Sequence, residues 1–207
     1  MKKLCVLCQA DAKSSKAVKH LKSLFQTSES DFFALNWCGA INNDEFDVSI
    51  SEPNLFSEGR CILMEIVPKN YEYFVILDDD VEFVCECNIV DTMICAFEKY
   101  RPLTGTFYNP SDWTQKTIVD CIQKTPKSAF PIFCYDITAC FYHKSVIDTL
   151  FPVPYHGTFG VFLFQQYIMH KLYPQKQICI TDVQINNGLH RGHPATAMKE
   201  KEEAFKF

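Results

Sequence analysis

The sequence predicts an α/β domain with a mixed, mostly parallel central sheet flanked by helices. Three observations carry that prediction. Short apolar runs alternate with segments whose apolar residues recur at helical spacing, and the chain opens as strand, helix, strand. The run Tyr73-Phe74-Val75-Ile76-Leu77 also reads as a buried strand, and it ends in the consecutive acids Asp78, Asp79 and Asp80.

Leu4 to Leu7 is the first strand. Ser14-Ser15-Lys16 opens a helix whose apolar positions are Ala17, Val18, Leu21, Leu24 and Phe25, and Phe32 to Trp37 is the second strand. Asn42-Asn43-Asp44-Glu45 reads as a turn, and Leu55 to Val67 as a helix ended by Pro68. After the aspartates, Ile89, Val90, Met93, Ile94 and Phe97 mark a helix. Strands follow at Gly105 to Tyr108, Ala129 to Cys134 and Thr138 to Tyr142, with a helix from Thr117 to Lys124 between the first two. Lys144 to Leu150 and Val161 to Leu172 read as helices, Ile178 to Val183 as the last strand, and Lys199 to Phe207 as a charged tail.

A chain of 207 residues supports one good core, so a single domain over residues 1–207 is expected, with room for further domains in a longer protein. A hydrophobic fraction of 47% with 18 Phe excludes disorder. The net charge of −5, with no basic run longer than Lys2-Lys3, argues against nucleic acid as a partner. The 11 cysteines are scattered through apolar surroundings and read as reduced, buried thiols; Cys5 with Cys8 and Cys85 with Cys87 lack a second half at zinc-finger spacing. No run of about 18 apolar residues exists to form a membrane anchor. A cytoplasmic monomer is the expectation.

Adjacent carboxylates repel, so a fold keeps Asp78, Asp79 and Asp80 together where a cation or a set of donors offsets the repulsion. If the strand's alternation continues, Asp78 and Asp80 face one side and Asp79 the other, giving two oxygen donors suited to Mg²⁺ or Mn²⁺. Ligands of open α/β sheets bind beyond the carboxyl ends of strands, where two further groups fall: Gln9-Ala10-Asp11, and the segment Asn186 to His193. In that segment imidazoles can complete a metal site and Arg191 can hold diphosphate oxygens. Arg60 either reaches a phosphate or decorates its helix; Asp11 either reads a nucleoside or caps the next helix. An acidic turn or a calcium loop is the plainer reading of Asp78 to Asp80.

A strand ending in Asp-x-Asp after a β-α-β start, with a late His-x-Gly loop and the strand-then-helix stretch Thr138 to Ile147, resembles the nucleotide-sugar glycosyltransferases of the GT-A fold. Small size, many cysteines and no membrane anchor narrow the resemblance to the amino-terminal domains of the multidomain glycosyltransferases with which large chlorella viruses build capsid-protein glycans. The resemblance implies a UDP-sugar donor, UDP-glucose or a UDP-deoxyhexose such as UDP-L-rhamnose, and an oligosaccharide or glycoprotein acceptor, in the host cytoplasm. By position, Asp78 meets the ribose or the metal through water, Asp80 binds Mn²⁺ (favoured) or Mg²⁺, and His190 is the third protein ligand. Arg191, His193 and Arg60 assist at the diphosphate, alongside Gln9, Ala10, Asp11 and Asp79 in nucleotide binding.

One departure stands out. Where many inverting members carry a Glu-Asp base, this chain reads Gly157-Thr158-Phe159-Gly160-Val161-Phe162-Leu163. Asp136 and Asp79 are the carboxylates left as catalytic candidates; retention, in which the leaving phosphate oxygen takes the proton, needs no protein base and is favoured. Trp113, Tyr135, Tyr155, His156 and Phe159 are candidates for an acceptor platform. Two rival readings are a calcium- and carbohydrate-binding module without catalysis, and a sugar nucleotidyltransferase, against which the glycine-free Gln9-Ala10-Asp11-Ala12-Lys13 loop counts.

Overall fold

A computed structural model describes residues 2–37, 44–50, 56–122, 128–152 and 160–187. Strand β1 (Leu4–Ala10) is buried along its whole length, and a short 3-10 turn (Ala12–Ser14) leads into α1 (Ser15–Phe25), which lays Val18, Leu21 and Phe25 on the sheet. β2 (Ser30–Asn36) pairs with β1, and the two-residue β3 (Val48–Ser49) pairs with β2. After α2 (Phe56–Ile66) come β4 (Tyr73–Asp78), β5 (Val81–Val84) and α3 (Ile89–Tyr100). The Asn88 side chain accepts hydrogen bonds from the Val90 and Asp91 N–H groups and so caps α3.

β6 (Thr104–Tyr108) passes so close to the last strand that a Cβ at Gly105 would lie 1.8 Å from the Ile178 carbonyl oxygen, which only glycine tolerates. α4 (Trp113–Ile122), β7 (Ala129–Pro131), β8 (Ala139–His143), α5 (Lys144–Leu150), α6 (Gly160–Leu172) and β9 (Gln177–Asn187) complete the chain.

The strands form one sheet in the order β3-β2-β1-β4-β8-β6-β9-β5, with β7 also on β9. β1, β2, β3, β4, β6 and β9 share one direction, whereas β8, β5 and β7 run against it, so the sheet is mixed and mostly parallel as expected. Alternation along β1 and β4 divides the core. Leu4, Val6, Cys8, Val75 and Leu77 pack with α1 and α3 on one face, and Cys5, Leu7, Phe74 and Ile76 pack with α2, α5 and α6 on the other. Cys5 and Cys8 therefore point to opposite faces and cannot share a zinc ion. No disulfide joins any two of the ten described cysteines. Among the described residues, no helix is long and apolar enough to cross a membrane.

Two expected elements changed. The strand foreseen to Cys134 stops at Pro131; after the Ile132 N–H bonds the Gln177 carbonyl, side-chain amides become the partners of the backbone. β5 was not foreseen. It begins directly after the aspartates and pairs with β9, which runs on to Asn187 rather than ending at Val183.

At the start of the sheet, the Asp31 carboxylate accepts bonds from Lys2 (2.7 Å), Tyr71 (2.7 Å) and Gln26 (3.0 Å). Burial pushes its pKa upward, but these three donors outweigh burial and hold it below the usual carboxylate range. A lowered carboxylate contributes stability above its unfolded pKa of about 3.9 and loses it as pH falls through the folded value. Asp31→Asn is expected to cost about 1 kcal/mol at neutral pH, discounted for partial exposure. The gap between the two proteins in urea unfolding should narrow as pH falls below the ordinary carboxylate range and the Asp31 carboxylate takes up a proton.

Candidate active site

From β1 the chain winds outward through β2 to β3, then returns to lay β4 on the other side of β1. With α1 and α2 on opposite faces, this reversal opens a crevice beyond the carboxyl ends of β1 and β4, the place where open α/β sheets bind ligands. Gln9 is the register partner of Asp78 on the adjacent strand at that end of the sheet.

Asp78 is the last residue of β4. Its side chain is 21% exposed, and its Oδ1 accepts from Arg60 Nη2 at 2.7 Å, while its N–H donates to the Thr138 carbonyl at 2.9 Å. Burial pushes the Asp78 pKa up to about 7; Arg60 opposes the shift, and the carboxylates of Asp80 and Asp136 add to it. Asp79 turns to the α1 side, where its Oδ2 accepts from the Asp11 N–H at 3.3 Å. Asp11 uses its own Oδ1 to cap the 3-10 turn through the Lys13 N–H at 2.9 Å, as one of its two readings anticipated. Asp79 and Asp80 form the turn into β5, so the alternation argument that set Asp80 beside Asp78 does not apply. The strand ends at Asp78, two residues short of Asp80. Asp80 is still close enough for its charge to act on Asp78.

Arg60 is wholly buried, its guanidinium 5.0 Å from the centre of the Phe162 ring. Besides Asp78, Nη2 bonds the Ile137 carbonyl at 2.9 Å, and Nη1 lies 3.6 Å from Cys140 Sγ. Burial lowers its pKa, but the Asp78 carboxylate outweighs burial and keeps the guanidinium charged. In this position Arg60 supports the acidic cluster from behind.

Gln9 lies under α2. A Cβ at Gly59 would come within 2.8 Å of the Gln9 amide, so the glycine is what lets the helix close over it. Gln9 is 2% exposed, and neither Oε1 nor Nε2 has a hydrogen-bond partner among the described residues. An orphaned amide next to a carboxylate cluster is costly unless something else binds it.

Asp136 precedes β8. Its Oδ1 accepts from both the N–H (3.1 Å) and Oγ1 (2.8 Å) of Thr138, which fixes the carboxylate and leaves Oδ2 without a bond among the described residues. Tyr135 is 5% exposed and its hydroxyl lies 2.7 Å from Thr104 Oγ1. It is a core residue, so the acceptor platform loses this member.

His190, Arg191 and His193, with Tyr155, His156 and Phe159, lie outside the described residues, as does the side chain of Trp113. Asn187, the end of β9, pairs with Val81 directly after the aspartates. Among the described residues, no three His, Cys, Asp or Glu side chains form a complete metal cage. Mg²⁺ and Mn²⁺ sites that use one or two carboxylates together with substrate phosphates do not require one.

Sequence reading missed Gln166. Its signal was two adjacent glutamines, Gln165 and Gln166, set among the aromatic and aliphatic residues of a helix that turns basic only in its last turn, both 4% exposed or less.

No known family matches the sequence, and no curated protein matches it. Solved structures do. TarS of S. aureus, a GT-A-like glycosyltransferase, matches 91% of this chain with a TM-score of 0.57 at 9% identity. The chain spans 37% of the length of TarS. A mycobacterial protein matches 98% of the chain and 74% of its own length, with a TM-score of 0.59 at 9% identity. At such identity the likeness is one of fold, and the fold is an α/β domain of the GT-A type.

Proposed function

We propose that the chain is a metal-dependent glycosyltransferase that moves a sugar from a UDP-sugar to a glycan acceptor. One observation carries the reading: at the reversal point of the sheet, Gln9 faces Asp78 in register, and Asp11, Asp79, Asp80 and Asp136 gather around that pair. The excess of carboxylates suits a divalent cation, and the orphaned Gln9 amide suits a polar ligand.

Asp80 and, through its second oxygen, Asp78 are the residues that would hold Mn²⁺ or Mg²⁺, with His190 as the third ligand. Bound there, such an ion would supply charge neutralisation at the departing diphosphate. Asp11, Gln9 and the backbone at Ala10 line the nucleoside side, and Arg60 favours the ionised form of Asp78 against burial and holds it in place. Transfer forms a bond from the acceptor oxygen to the anomeric carbon and breaks the bond from that carbon to the phosphate oxygen, with the electron pair leaving on UDP. The acceptor proton passes to Oδ2 of Asp136, which Thr138 orients and no described residue occupies. With Asp136 as base the transfer inverts; with the leaving phosphate oxygen as proton acceptor it retains, and the anomeric configuration of the product separates the two.

The narrower assignment, a capsid-glycan enzyme using UDP-glucose or UDP-L-rhamnose, rests on the sequence resemblance alone. A thermal unfolding screen of UDP-, GDP- and dTDP-sugars with and without Mn²⁺ tests the reading. UDP-sugars should raise the midpoint only with the metal, by the equivalent of about 2.7 kcal/mol at a hundredfold excess over Kd. A metal-independent shift, or none, argues against it.

A further inference from the structure

Asp136 sits in a segment that is neither helix nor strand, so its backbone polar groups need partners from elsewhere. The buried Gln166 of α6 supplies both for the preceding residue. Its Oε1 accepts from the Tyr135 N–H at 3.0 Å, and its Nε2 donates to the Tyr135 carbonyl at 2.9 Å. On the other side, Arg60 of α2 holds the Ile137 carbonyl at 2.9 Å. Upstream, Gln177 Nε2 bonds the carbonyls of Ile132 (3.0 Å) and Phe133 (2.6 Å). The residues on both sides of Asp136 are thus gripped by buried side chains from two different helices, while Asp136 itself stays partly exposed.

We propose that Gln166 is a positioning residue for Asp136: its two-point grip on Tyr135, set against the grip of Arg60 on Ile137, fixes the peptide that aims Asp136 Oδ2 at the acceptor oxygen. The proposal rests on the glycosyltransferase reading. A glutamine that only satisfied buried backbone would affect stability alone. A positioning glutamine affects turnover through Asp136, because small misplacements of a reacting group are costly.

The test uses UDP-glucose and UDP-L-rhamnose with Mn²⁺, water as acceptor and UDP release as readout. Gln166→Met keeps the length and apolar packing and removes both bonds; Gln166→Asn keeps the amide but withdraws it, and serves if the first variant does not fold. Either variant should lower kcat about 30- to 100-fold, with KM for the donor and calorimetric affinity for UDP within about twofold of wild type. In an Asp136→Asn background the same change should lower kcat no further, since a positioning residue has nothing left to position.

The outcomes separate. No UDP release by the wild-type protein overturns the functional reading and the proposal with it; full turnover by Asp136→Asn overturns the proposal and the role of Asp136 as base, and leaves a transfer that needs no protein base. A crippled Asp136→Asn beside a fully active Gln166→Met overturns the proposal alone, as does a double variant whose losses multiply.

Discussion

Asp80→Ala is expected to abolish manganese-dependent UDP binding, by more than about 100-fold in affinity, without harming the fold. Asp78 already has one oxygen committed to Arg60, so Asp80 is the carboxylate of the motif on which the cation chiefly depends. Asp80 lies in a turn, partly exposed, and the pairing of Val81 with Asn187 uses backbone groups alone. Its charge also repels Asp78, so its removal relieves part of the strain on the buried ion pair. Thermal unfolding without ligand should stay within about 0.5 kcal/mol of wild type, while calorimetry with UDP and Mn²⁺ shows no heat of binding. Retained metal-linked affinity would move the cation site away from Asp80.

Arg60→Met is expected to destabilise the protein by about 3–5 kcal/mol, the range for breaking a buried ion pair from one side. The substitution leaves Asp78 buried without its cation and strips the Ile137 carbonyl of its 2.9 Å donor. Methionine keeps the length needed to pack against Phe162 but not the charge. Arg60→Lys should recover part of the loss, since a single ammonium cannot reach Asp78, Ile137 and Cys140 at once as the planar guanidinium does. Denaturant unfolding ranks the three proteins. A loss below about 1 kcal/mol for the methionine variant would show that the pair contributes little.

The fold was legible wherever local signals were strong. β1, α1 and β4 are bounded apolar runs or amphipathic repeats, and their positions follow from period alone. β5 was not legible: Val81–Val84 has no turn signal before it beyond the aspartates, and its partner in β9 lies about a hundred residues downstream. The extension of β9 does show in retrospect, since Val183 and Ile185 are buried while their neighbours are less so. At the site, the carboxylates and their placement at strand ends could be read, because α/β topology dictates where strand ends converge. The inward role of Arg60 could not, because nothing local to its helix shows which carboxylate it meets 18 residues later. The same holds for Gln166 and Tyr135, 31 residues apart.

The most direct test of the central claim is the anomalous signal of Mn²⁺ in crystals grown with UDP. A peak is expected about 2.1 Å from an Asp80 carboxylate oxygen, bridged to the diphosphate, with the Arg60–Asp78 pair still formed behind it. A diphosphate seated elsewhere, or manganese absent from the crevice between β1 and β4, would contradict that claim.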